Sequence, residues 1–137
     1  MKSKLLFSML LLFCTFSGIA QNKTQLVGTW KLVSGKATVG DSTYPYDNKT
    51  LDAIKIVTPT HFAVISKNVS NDSMQNAGAG TVKMDDRNYI EEIQYGNGST
   101  IIGKTAKYTY HIEGDKWYIK GGIENMMMLE EAWQRVK

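Results

Sequence analysis

The chain has 137 residues with 16 Lys and Arg, 13 Asp and Glu, two His and one Cys, a length that fits a single domain with a sizeable apolar core. Its formal charge of +3 falls to +1 (14 basic against 13 acidic) once the two lysines of a predicted leader are removed. So weak a basic balance argues against nucleic acid as a partner, because phosphate binding relies on clustered Lys and Arg.

Residues 1–20 have the pattern of a secretory signal peptide, and residues 21–137 form the predicted mature domain. The apolar run is shorter than the ~20 residues that a membrane-spanning helix needs. We therefore predict a secreted or periplasmic protein, cleaved after Ala20, without stable membrane insertion; an uncleaved N-terminal anchor is the alternative. The charged start, the apolar middle and the small residues before the cleavage site are Lys2 and Lys4, Leu5 to Phe16, and Gly18 with Ala20.

Cleavage at this site would remove the single cysteine, Cys14. The mature chain would then have no disulfide, no thiol nucleophile and no thiolate metal ligand. Lipid attachment at Cys14 is an alternative, because Leu11 lies three residues before it, but Phe13 stands where lipoprotein processing needs a small residue. The mature domain must instead be stabilised by an apolar core.

After the leader, short β-rich runs alternate with Gly, Asn, Asp and Pro at fairly regular spacing, and no long helical pattern appears. The runs predict about eight strands joined mostly by short turns, hence an all-β, up-and-down antiparallel β-barrel. Residues 40–49 and 68–76 are predicted loops. Such a barrel is either packed with side chains or holds one small ligand. The predicted strands cover residues 28–39, 53–57, 62–66, 77–84, 89–95, 99–112, 117–120 and 129–136.

The segment Leu26 to Val33, with Gly28-Thr29-Trp30 inside it, is similar to the opening strand of lipocalins and fatty-acid-binding proteins, the calycin superfamily. The mature chain as a whole resembles a family of small secreted bacterial lipocalin-like domains of unassigned activity. This resemblance implies a structural role for Trp30 and Arg135, which would stack at the closed end of the barrel. The matching segments are residues 56–62, 89–95, 103–105, 113–118 and 131–136.

The mature sequence contains few features that would indicate a catalytic or metal site. His61 and His111 lie 50 residues apart without carboxylates at ligand spacing, and there is no Gly-x-Ser-x-Gly motif. His61 is most simply a strand-entry residue and His111 a solvated outer one. The methionines at 126–128 form either a flexible loop or an adaptable rim to the barrel mouth. We predict no metal and no cofactor.

Candidate ligand-binding residues follow from the two-residue period of β-strands, which places alternate side chains on one face. Glu91 is the most informative, since a carboxylate buried among aromatic residues needs a hydrogen-bonding Tyr, an Arg or a polar ligand. The alternative is that these side chains only fill the core or that the face of Glu91 is exposed. The candidates are Tyr89, Glu91 and Tyr95 on one face, Tyr108 and Tyr110 on another strand, and Trp133 on the last strand.

The sequence thus predicts a non-catalytic protein that binds a small apolar or amphipathic molecule inside the barrel. A second hypothesis is an interaction module with a filled barrel, whose loops contact a protein or a glycan. The third and weakest hypothesis is a small barrel enzyme that uses Glu91 with His61.

Overall fold

The computed structural model describes residues 23–137, so the predicted leader at 1–20 lies outside the described residues. Within this part of the chain, no helix is long and apolar enough to cross a membrane. A 3₁₀ helix at Lys23–Leu26 is followed by nine strands. These are β1 (Gly28–Val39), β2 (Ser42–Asp47), β3 (Leu51–Val57), β4 (His61–Asn68), β5 (Met74–Met84), β6 (Asn88–Gly96), β7 (Thr105–Glu113), β8 (Lys116–Ile123) and β9 (Met127–Arg135).

The strands form one closed antiparallel barrel. From β3 to β9 each strand pairs with the next in the chain, and β1 pairs with β3 on one side and with β9 on the other. The eight strands β1 and β3–β9 therefore close on themselves, while β2 pairs with the second half of β1, over residues 34–39. This arrangement confirms the predicted all-β, up-and-down barrel of eight strands.

Strand β2, which is additional to the eight predicted strands, was not expected. The prediction of a loop over residues 40–49 is therefore wrong. Gly40, with a φ of 57°, allows a tight turn from β1 into β2. Pro45 lies opposite Lys36 within this pairing. A proline that cannot donate a backbone hydrogen bond is tolerated in β2, because that strand lies at an edge. The predicted strand at 99–112 also begins later, at Thr105.

One end of the barrel is packed solid with large side chains. The rings of Trp30 and Trp117 lie 5.3 Å apart, and those of Tyr89 and Trp117 lie 5.1 Å apart at 81°. All three residues are fully buried, together with Leu26 and Val57. Because each aromatic side chain buries a large apolar area, this cluster forms the main core of the domain.

The first strand and the last strand of the barrel meet beside this core. The guanidinium of Arg135 lies 4.2 Å from the centre of the Trp30 ring, and its Nη1 donates a hydrogen bond to the carbonyl of Val27 at 3.0 Å. A second nitrogen donates to the carbonyl of Gln25. Gly28 has a φ of 146°, and a Cβ there would lie 2.6 Å from Arg135 Nη1. The glycine of the Gly-x-Trp segment therefore provides the room in which Arg135 reaches Trp30.

Candidate ligand cavity

The other half of the barrel, away from Trp30, encloses a cavity of about 450 Å³. This volume falls within the range of pockets that hold small molecules. Gln75 and Asn76, near the start of β5, and Met127, at the start of β9, also line the cavity. Apolar side chains from five strands form much of the wall: Leu32, Phe62, Val64, Ile93, Ile123 and Leu129.

A buried ion pair borders the cavity on the side of the aromatic core. Lys55 Nζ donates a hydrogen bond to Glu91 Oε1 at 2.9 Å, and the two side chains are only 4% and 5% exposed. Both residues line the cavity. Removing two charges from water is costly, so each of these groups depends on the other for its stability in this position.

Four aromatic rings surround the ammonium group of Lys55. Its Nζ lies 5.3 Å from the ring centre of Trp133, 5.6 Å from those of Tyr89 and Trp117, and 5.7 Å from that of Tyr108. These distances fall within the range of cation–π attraction. The rings thus add to the stabilisation that Glu91 gives to this buried positive charge.

Both tyrosines of this group, Tyr89 and Tyr108, are kept protonated by their surroundings. Burial raises the pKa of Tyr89 well above its usual value, and the negative charge of Glu91 raises it further. The same two causes, in the same order, raise the pKa of Tyr108. The hydroxyl of Tyr89 and the indole nitrogen of Trp117 are buried and have no hydrogen-bond partner among the described residues.

A second polar group on the cavity lining is centred on the carboxylate of Glu131. Tyr46 donates to Glu131 Oε1 at 2.7 Å, and the indole of Trp133 donates to Oε2 at 3.0 Å. Burial, followed by the charge of Glu131 and this hydrogen bond, raises the pKa of Tyr46. Gly35 lies between the two residues in the sheet, and a Cβ there would approach Tyr46 to 2.7 Å and Glu131 to 2.9 Å. A glycine is therefore required for this contact.

Of the predicted ligand-binding residues, Glu91, Tyr108 and Trp133 line the cavity. Tyr89 is fully buried beside Trp117 in the aromatic core. Tyr110 is buried as well, but it is not among the described residues that line the cavity, and its hydroxyl donates to the carbonyl of Asp85 at 2.7 Å in the turn before β6.

Tyr95 lies on the outside of the barrel, 70% exposed, so the expectation that it shares an inner face with Glu91 is wrong. The strand pairing of β5 with β6 shifts where Gly80 lies opposite Ile93 and Ala79 lies opposite Tyr95. The extra residue, Gln94, makes a β-bulge, which reverses the alternation of faces beyond it.

The candidates predicted from the sequence did not include Lys55, Tyr46 or Glu131. The sequence of β3 gave no signal for Lys55, because Ile54 and Ile56 make the opposite face of that strand just as apolar as the face of Ala53 and Val57. Only the structure shows that the face with Lys55 is the buried one. Tyr46 gave no signal either, since it fell in a predicted loop.

The histidines lie apart from the cavity. His61 is exposed, and its Nδ1 lies 2.8 Å from the hydroxyl of Thr60. His111 is exposed and stacks on Tyr118 with ring centres 4.7 Å apart. Glu91 is bonded to Lys55 and not to a histidine. Within residues 23–137, the structure contains no group of three or more His, Cys, Asp or Glu side chains that could hold a metal ion.

The fold and the site together define a closed antiparallel β-barrel with an internal cavity that is apolar in its walls and charged at its base. No protein-family model matches this chain, and comparison with curated proteins finds no similar sequence.

Proposed function

We propose that this chain is a lipocalin-like protein that binds a small, partly apolar molecule in the barrel cavity without transforming it. The observation that carries this proposal is the cavity of about 450 Å³, with apolar walls and buried polar groups at its base. Transfer of apolar ligand surface from water to these walls would contribute about 25 cal/mol per Å². Polar groups of the ligand would be oriented by Glu91, Tyr108 and Glu131.

The cavity favours this function over that of an interaction module with a filled barrel. In the filled barrel, side chains from opposite strands would meet throughout the interior, as they do around Trp30 and Trp117. At the opposite end the wall includes Gly78, which has no side chain, and Ala37 and Ala53, whose side chains are small. Such residues leave space where larger apolar residues would have closed it.

The place of action that we propose is outside the cytoplasm. This part of the proposal depends on the leader pattern of residues 1–20, with its charged start, apolar middle and small residues before Gln21. An exported carrier without a disulfide would depend on its core for stability, and the buried aromatic cluster supplies such a core.

Titration with the neutral probe N-phenylnaphthylamine, whose fluorescence rises in apolar surroundings, tests the binding proposal. We expect saturable binding of one probe per chain. Gly78→Leu should weaken it by about tenfold or more, because Gly78 lines the cavity and an added Cβ there meets only Val64, at 3.6 Å, and the carbonyl of Tyr95, at 3.8 Å. The backbone of Gly78 suits any L-residue, so the variant should fold.

Ala79→Leu is the matched control, since Ala79 is the next residue along β5 and lies opposite the exposed Tyr95. It should bind the probe as the unaltered chain does. Circular dichroism and urea unfolding would verify that both variants are folded. Absence of saturable binding by the unaltered chain, or equal binding by the two variants, would contradict the proposal.

A further inference from the structure

The cavity carries an uneven set of charges. Three of the described residues that line it carry a formal charge at neutral pH: Lys55, Glu91 and Glu131. One positive and two negative groups leave the lining with a formal charge of −1. Because the walls around them are apolar, this charge acts on a bound molecule with less screening than it would in water.

The positive charge of Lys55 is already neutralised. Its ammonium donates to Glu91 at 2.9 Å, and the rings of Tyr108 and Trp133 lie within 6 Å on the cavity lining. An anionic ligand that approached Lys55 would have to displace or adjoin the Glu91 carboxylate. Like charges so close to one another repel, which makes this ammonium a poor receptor for a carboxylate or a phosphate.

The negative charge of Glu131 is not neutralised by a cation. Its two hydrogen-bond donors, Tyr46 at 2.7 Å and Trp133 at 3.0 Å, are both uncharged. Among residues 23–137, no Lys, Arg or His nitrogen lies within ion-pair distance of this carboxylate. A carboxylate has about four acceptor sites, so two remain after these bonds.

Aromatic rings flank the same carboxylate. Both of its donors are aromatic, and the hydroxyl of Tyr46 and the indole nitrogen of Trp133 hold their rings beside Glu131. A ring face attracts a cation, and the attraction grows when water is excluded. An acidic group in an apolar cavity, with two aromatic side chains beside it, is therefore complementary to a protonated amine that carries an apolar tail.

On this charge pattern, and resting on the binding function proposed above, we propose that the cavity selects amphipathic amines over anions of equal apolar size. Glu131 is the charge partner of the ammonium group, Tyr46 and Trp133 orient that carboxylate, and the apolar tail lies along the wall formed by Val64, Ile93 and Leu129. The Lys55–Glu91 pair, whose formal charges cancel, closes the base of the site.

Three probes with the same apolar tail test this selectivity near neutral pH: dodecylamine, dodecanol and dodecanoate, each displacing N-phenylnaphthylamine from the full mature chain. We expect dodecylamine to displace the probe at a concentration about tenfold or more below that of dodecanoate, with dodecanol between them. This comparison uses the unaltered protein, so it does not depend on the folding of a variant.

Glu131→Gln should bring the three probes to within about threefold of one another, because the amide keeps the size of the side chain and loses its charge. Glu130→Gln is the control, since Glu130 is the neighbouring residue and pairs on the outside with Lys36 and Lys120 at 3.2 Å. It should keep the preference for the amine.

Tighter binding of dodecanoate, or equal binding of dodecylamine and dodecanol by the unaltered chain, would overturn the inferred ligand class and leave the binding function intact. Failure of N-phenylnaphthylamine itself to bind would instead overturn the binding function. The two proposals can therefore fail separately.

Discussion

Lys55 and Glu91 lie on strands β3 and β6, which are not neighbours in the sheet, and yet Lys55 Nζ donates to Glu91 Oε1 at 2.9 Å. The bond therefore crosses the interior of the barrel, between the aromatic core and the cavity. Its two side chains are 4% and 5% exposed, so neither charge can be hydrated in the other's absence. Among the ion pairs of residues 23–137, this is the one whose side chains are both buried.

Removal of one partner should therefore destabilise the fold strongly. We expect Lys55→Met or Glu91→Leu alone to lower the free energy of unfolding by about 3–5 kcal/mol, because each leaves an uncompensated buried charge. The double variant should recover much of that loss, since two apolar side chains need no partner. Urea unfolding of all four proteins measures the coupling as a double-mutant cycle.

The exposed pair of Lys36 with Glu130, whose side chains are 47% and 44% exposed, is the control. Its single variants should change stability by less than about 1 kcal/mol. Single variants of the buried pair that behave like those of the surface pair would show that water reaches Lys55 and Glu91.

The contact of Arg135 with Trp30 should hold the start of the domain against the last strand. Arg135→Ala removes a stack at 4.2 Å and the hydrogen bonds to the carbonyls of Val27 and Gln25, and we expect a loss of about 2–3 kcal/mol. Arg135→Lys should be intermediate in stability between the unaltered chain and Arg135→Ala, because an ammonium keeps the charge but cannot reproduce the fork of donors. Lys137→Ala, which removes an exposed ion pair with Asp115, is the control.

Hydrogen exchange of the amides at residues 25–30, together with urea unfolding, measures this effect. Faster exchange confined to those residues in Arg135→Ala would agree with the prediction. Unchanged exchange there, with stability equal to that of Lys137→Ala, would contradict it.

Gly35 should be intolerant of even a methyl group. A Cβ at this position would lie 2.7 Å from the Tyr46 ring and 2.9 Å from Glu131, so Gly35→Ala should separate Tyr46 from Glu131 and cost about 1–3 kcal/mol. Gly98→Ala is the control, because a Cβ there meets nothing within 4 Å. It should be neutral or slightly stabilising, since alanine reduces the freedom of the unfolded chain. Thermal unfolding of the two variants separates these outcomes.

Alkaline pH should destabilise the protein through its buried tyrosines. Burial, with nearby carboxylates adding, raises the pKa of Tyr89 and Tyr108, so the folded state keeps protons that the unfolded chain loses above about pH 10. Stability is then independent of these groups below that pH. Above it, each one lowers the free energy of unfolding by up to about 1.4 kcal/mol per pH unit.

Urea unfolding at a series of pH values, with tyrosinate absorbance recorded in parallel, checks this dependence. Tyr89→Phe should reduce the slope by one proton and should cost little at neutral pH, because the hydroxyl of Tyr89 has no hydrogen-bond partner in the described part of the chain. A slope that is the same in the variant and the unaltered chain would contradict the assignment to Tyr89.

Export should yield a product that begins at Gln21. Expression of the full chain in a bacterial host, followed by intact-mass measurement of the periplasmic fraction, tests this expectation. Ala20→Leu should block processing, because the residue before the cleavage site must be small. An unaltered chain that stays in the cytoplasm with residues 1–20 attached would contradict it.

Local pattern was sufficient to predict the eight strands that close the barrel, but not β2. Alternation with a period of two placed Glu91, Tyr108 and Trp133 among the candidate ligand-binding side chains, and the structure places all three on the cavity lining. The Gly-x-Trp segment predicted where the chain ends would meet, and Arg135 stacks on Trp30 there. These features depend on residues close together in sequence or on a resemblance that spans the domain.

The partner of Glu91, the orientation of Tyr95 and the presence of a cavity were decided only by the tertiary structure. The partner of Glu91 is Lys55, 36 residues earlier, and an alternating strand indicates only which face a side chain occupies, not what lies across the barrel. The bulge that turns Tyr95 outward depends on the pairing of β6 with β5. Whether the interior is filled depends on how side-chain volumes from eight strands add up around one axis, and such a sum requires all of their positions at once.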